Sequence, residues 1–66
     1  MKRIFDQHID RANGLIDRAL SGRIGYAVSA LDTVHRASVL AESASDREQV
    51  GEAIARAYTA LIKGVK

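Results

Sequence analysis

The chain has 66 residues, no cysteine and no proline, and its ten Lys/Arg against eight Asp/Glu leave a formal charge of +2. So short a chain buries only about 60% of its unfolded surface, so residues 1–66 make one small domain that wants a staple. Disulfides and thiolate metal sites are excluded. So is a strong basic footprint, because Lys2, Arg3, Arg11 and Arg18 alternate with Asp6, Asp10 and Asp17.

At the N-terminus, Lys2 and Arg3 are followed by Asp6, Gln7, His8, Asp10 and Arg11, not by the apolar stretch of a targeting segment. No run approaches the ~20 apolar residues of a membrane span. The expected compartment is the cytoplasm.

The apolar residues then recur every three or four positions: Phe5, Ile9, Ala12, Ile16, Leu20, Ile24, Ala27, Leu31, Val34. That is the period of one helix face. Ile-Asp-Arg-Ala at 9–12 returns at 16–19, placing Ile9, Ile16, Ala12 and Ala19 inward and the Asp-Arg pairs in water. The repeat is therefore architecture. A strict heptad would next bring Arg23 inward; the stripe slips instead to Leu20 and Ile24, at Ser21-Gly22-Arg23-Ile24-Gly25.

Two readings of this segment compete. A continuous helix can absorb the slip, or the chain can turn with Gly22 just past the end of a first helix. The glycines, each costing about 1 kcal/mol against alanine inside a helix, favour the turn. The unbroken phase, and the lack of a Ser, Thr, Asp or Asn cap before Tyr26, favour continuity, which is the expectation adopted.

The next break lies in "AESASDREQV". Ser45-x-x-Glu48 has the spacing of a capping box and predicts a last helix over about 46–63. Val50, Ile54, Ala57, Leu61 and Val65 form its inward stripe, Tyr58 and Ile62 widen it, and Gly64 marks its fraying end. Asp46 and Glu48 near the start and Lys63 near the end suit the helix dipole.

The expected fold is all-α: a helical hairpin whose long helix (about 3–41) spans ~58 Å and whose short helix (about 46–63) spans ~27 Å. The short helix covers the long one only from Ile24 onward. An exposed apolar row is thus left, and it marks an association site. Phe5, Ile9, Ile16, Leu20 and Ile24 are the candidate dimer or partner interface, and dimerisation into an antiparallel helical bundle follows. The alternative is a three-helix bundle with a turn at 21–25, in which the need for a partner falls.

No residue set points to catalysis, a metal or a cofactor. Asp32 and His35 are three apart on one helix, the spacing of an ordinary surface pair. His8 flanks the apolar stripe, 27 residues from His35. Gly22-x-x-Gly25 lacks the lysine and preceding strand of a phosphate loop. Gly25 and Ser29 are expected to let a neighbouring helix approach closely.

In "YAVSALDTVHRASVLA", Val28-Ser29 is followed by Thr33-Val34-His35-Arg36. This segment resembles the recognition-helix region of lactose-repressor-type helix-turn-helix domains, with one extra residue between the two parts and Ala27 where that family has glycine. The resemblance implies a small DNA-binding regulator, although Arg36 is the only basic residue of the supposed reading helix besides His35. The Asp and Arg alternation of the first helix does not suit a membrane surface, which favours a Lys/Arg-rich face. The leading expectation is a non-enzymatic, cytoplasmic homodimer that binds a larger protein and restrains or escorts it, as an anti-activator, adaptor or co-chaperone does. The helix-turn-helix regulator is the alternative.

Overall fold

The computed structural model describes residues 2–64, in which three helices pack together: α1 (Ile4–Leu20), α2 (Gly25–Leu40) and α3 (Ala44–Gly64). The result is an all-helical three-helix bundle. Its Cα atoms extend 37 Å in the longest direction, far short of the ~58 Å that a helix over 3–41 requires.

The continuous long helix is replaced by a turn, and Gly22 is the reason. Its φ of +116° lies where a side chain is strained. The Gly22 N–H donates to the Ala19 carbonyl (3.1 Å) and the Arg23 N–H to the Arg18 carbonyl (3.3 Å). These two bonds form the Schellman pattern that satisfies the last carbonyls of a helix. Ser21 Oγ adds a third bond, to the Arg18 carbonyl (2.8 Å). The apolar stripe keeps its phase through the break because the connecting residues 21–24 amount to about one helical turn. α2 then begins without any side-chain cap. Its first bonds run from the Tyr26 N–H to the Arg23 carbonyl (3.0 Å) and from the Ala27 N–H to the Ile24 carbonyl (2.9 Å).

α3 begins at Ala44, two residues earlier than expected. Ser43, not Ser45, caps it: Ser43 Oγ accepts from the Asp46 N–H (3.0 Å). Asp46 Oδ2 reaches back to accept from the Ser43 N–H (3.4 Å) and the Glu42 N–H (3.0 Å). This is a capping box with aspartate in the acidic position, and Ser45 and Glu48 lie exposed inside the helix. Tertiary structure selects it. The Arg3 guanidinium donates to both Asp46 oxygens (2.9 and 3.1 Å) and also to Asp6. The bidentate pair with Arg3, supported by the backbone N–H of Glu42, holds the Asp46 carboxyl well below the usual carboxylate range.

The helices alternate in direction. Arg3 meets Asp46, and Arg56 donates to Asn13 (2.9 Å), each pair 43 residues apart, so α1 and α3 run parallel. Arg56 also pairs with Asp17 at 2.7 Å. At the far end Gly64 sits directly on Ile24: a Cβ added to Gly64 would fall 2.9 Å from the Ile24 Cβ. Gly64 is thus a contact that closes α3 onto the α1–α2 turn.

The core is built from small residues. Phe5, Ile9, Ile16, Val34 and Val50 are buried together with Ala12, Ala19, Ala27, Ala30, Ala37, Ala53, Ala57 and Ala60. Alanine at facing positions lets helix axes come close, so the larger side chains have less room between them. Leu31, Ile54 and Leu61 are only half-buried at the margin. Tyr58 and Ile62, expected to widen the inward stripe of α3, point away from it. Val65, the last position of that stripe, lies outside the described residues. Gly25 and Ser29 are exposed, and a Cβ at Gly25 would meet nothing within 4 Å, so no helix approaches there.

Candidate interaction surface

The residues expected to carry association lie mostly inside the bundle. Phe5 (3% exposed), Ile9 (5%) and Ile16 (0%) belong to its core, because the turn at 21–24 folds α2 and α3 over the row. Ile24 is half-buried beneath Gly64, and Leu20, at the end of α1, stays on the surface. The mismatch in helix length that left this row bare does not arise.

A different apolar surface is open. The inward residues of α3 are Asp46, Val50, Ala53, Ala57 and Ala60. On the opposite face lie Gly51, Ala55, Tyr58 and Ile62, all exposed, with Tyr58 at 54% and Ile62 at 66%. Their spacings of four, three and four make a straight seam along the helix. No charge falls between Gly51 and Ile62; exposed Arg47 stands one turn before Gly51 on the same row. Half-buried Ile54 and Leu61 border the seam on one side. On the other stand Glu48, Glu52, Thr59 and Lys63, all exposed, and none of the ion pairs among the described residues involves Glu48, Glu52 or Lys63.

This seam escaped sequence reasoning because Tyr58 and Ile62 looked like core. One signal was available: the alanines at 53, 57 and 60 form a second three- and four-residue row, and α3 can turn only one of its rows inward. Val28 (63%) and Val39 (75%) are further exposed apolar side chains, on the outer face of α2. Single exposed residues are ordinary; a continuous uncharged seam on one helix is not.

The polar candidates disperse. Asp32 pairs with Arg36 (3.3 Å), not with His35. His35 is exposed and His8 half-buried, and no group of three or more His, Cys, Asp or Glu among the described residues is placed to hold a metal ion. Val28 and Ser29 lie in the first turns of α2, and Thr33 is buried with its hydroxyl bonded to the Ser29 carbonyl (2.9 Å). Tyr26 packs under Arg18, whose guanidinium carbon is 5.6 Å from the ring centre. Among the surface depressions, one is lined by Arg11, Gly14, Leu15 and Arg18 and another by Ile4, Gln7, His8 and Arg11. Among the described residues no helix is long and apolar enough to cross a membrane. The chain matches no protein-family model, and it has no significant match among curated proteins or solved structures.

Proposed function

We propose that this protein is a non-enzymatic, cytoplasmic protein-binding module of regulatory type, which docks a helix of another polypeptide against the outer seam of α3. The observation that carries this reading is the exposure of Tyr58 and Ile62 on a seam without charge, while alanines fill the core beneath. A tyrosine and an isoleucine ordered on the outside of a helix offer an anchor pair for a groove or a facing helix. Burying them offsets the cost of leaving them in water, roughly 1.5–3 kcal/mol per large apolar side chain. By this means the module restrains or escorts a larger protein.

The test is photo-cross-linking in the native cell from a reactive group placed at Ile62. The expected result is a cross-link to one larger protein, abolished by Tyr58→Asp. If Tyr58→Asp leaves both the cross-link and the cellular phenotype unchanged in a normally folded protein, the reading fails. Retention on DNA that collapses as salt rises would instead support the helix-turn-helix regulator.

A further inference from the structure

We infer that the resting occupant of the α3 seam is the α3 helix of a second copy of this chain, running antiparallel. The inference rests on the reading that this seam docks a helix, and names the helix. The seam is small in its first half, at Gly51 and Ala55, and large in its second, at Tyr58 and Ile62. Laid antiparallel about a two-fold axis, Gly51 of one copy faces Ile62 of the other, and Ala55 faces Tyr58. Both pairs have residue numbers adding to the same total, so a single register satisfies both, and the symmetry repeats each contact. Large side chains of each copy enter the space left by small ones on the other, which is knobs-into-holes packing in its antiparallel form. A Cβ at Gly51 would touch nothing within 4 Å, so that space is open to an incoming residue.

The charges beside the seam agree with this register. Lys63 of one copy lies between Glu48 and Glu52 of the other, offset by less than one helical turn from each. On the opposite edge Ile54 meets Leu61, both half-buried and apolar. A parallel pairing does the reverse: it stacks Tyr58 on Tyr58, leaves a gap at Gly51, and sets the charged edge of Glu48, Glu52 and Lys63 against the apolar Ile54 and Leu61 edge of the other copy. The antiparallel register matches shape and charge together.

Native cysteine is absent, so single introduced thiols report the register without background. Gly51→Cys and Ile62→Cys are made separately, each on the full chain, and oxidised alone and mixed. The expected result is a covalent heterodimer on mixing and little homodimer from either variant alone. Sedimentation equilibrium on the wild type should show a concentration-dependent dimer. Tyr58→Asp should sediment as a monomer with an unchanged far-ultraviolet circular dichroism spectrum. Lys63→Glu should weaken the dimer, and Lys63→Glu combined with Glu48→Lys and Glu52→Lys should restore it. A wild type that is monomeric at all concentrations overturns the inference, as does a dimer whose thiols join 51 to 51 and 62 to 62. A monomeric wild type that still cross-links a larger protein in the cell sinks only the self-association. A dimer that cross-links none sinks the proposed function instead.

Discussion

Asp46 joins the cap of α3 to α1. Its carboxylate closes the cap of α3, accepts from the Glu42 N–H, and receives the bidentate guanidinium of Arg3 from α1, with only 2% of the residue exposed. Every buried side-chain polar atom among the described residues has a partner, and losing Arg3 would leave the buried Asp46 carboxylate with only the Glu42 and Ser43 N–H groups to compensate its charge. Ser43→Ala should therefore destabilise the protein by about 1 kcal/mol, while Ser45→Ala, on the exposed face, should stay within ~0.5 kcal/mol of the wild type. Thermal melts of the two variants distinguish the caps, since 1 kcal/mol moves the Tm of so small a domain by roughly 4–8 °C. Acid stability follows from the same residue. The folded-state pKa of Asp46 lies below its unfolded value of about 3.9, so its contribution is fully present above that value. It is lost as pH falls through the unfolded value toward the folded one. Asp6, lowered by the hydrogen bond from Arg3, adds in the same direction. Denaturant titrations from pH 6 to about pH 2 should show this loss in the wild type and a visibly flatter dependence in Asp46→Asn.

The α1–α2 turn sets the element scale. Because Gly22 holds a left-handed conformation, Gly22→Ala should cost about 1 kcal/mol or more. Gly14, helical and exposed within α1, is its control: an added Cβ meets nothing within 4 Å, and Gly14→Ala should stabilise by up to about 1 kcal/mol. Opposite signs from two glycine-to-alanine changes would be hard to obtain from any structure with a continuous helix over 3–41. An unfavourable Gly14→Ala, or a neutral Gly22→Ala, measured by urea denaturation, would count against the turn. Gly64 bears on the same junction, because its contact with Ile24 ties the end of α3 to the turn. Gly64→Ala should be destabilising, and less so in an Ile24→Ala background, where the atoms it strikes beyond Cβ are gone.

For the whole molecule, the unusual feature is the division of sizes: alanines between the helices, several larger apolar residues at the margin or outside. Close-packed interiors do not absorb extra methylenes cheaply, so Ala57→Leu in the core should cost about 1–3 kcal/mol. The neighbouring Tyr58→Lys, on the surface, should leave the folded monomer nearly as stable while removing the seam's large anchor. Differential scanning calorimetry at low protein concentration separates the two effects, since a dimer contributes to Tm only in proportion to its population. Comparable destabilisation by both variants would mean that the seam is part of the monomer's core.

The helical period, the absence of proline and cysteine, and the rows from Phe5 to Ile16 and from Val50 to Ala57 were all legible in the chain, because a repeat of three and four is a local property. The break at 21–25 was visible as a possibility and undecidable as a fact: a connection of about one helical turn leaves the apolar phase where a straight helix would leave it. The cap of α3 was ambiguous for a similar reason. Ser43-x-x-Asp46 and Ser45-x-x-Glu48 share one spacing, and only Arg3, 43 residues away from Asp46, favours the first. The surface seam was the least legible part. Val50, Ile54, Tyr58 and Ile62 all look equally inward on a helical wheel, and only the approach of α1 and α2 to the alanine row of α3 turns Tyr58 and Ile62 to the outside. Local pattern determines which residues can share a face; which face is covered depends on the neighbouring helices, and these are brought in by residues distant in the chain.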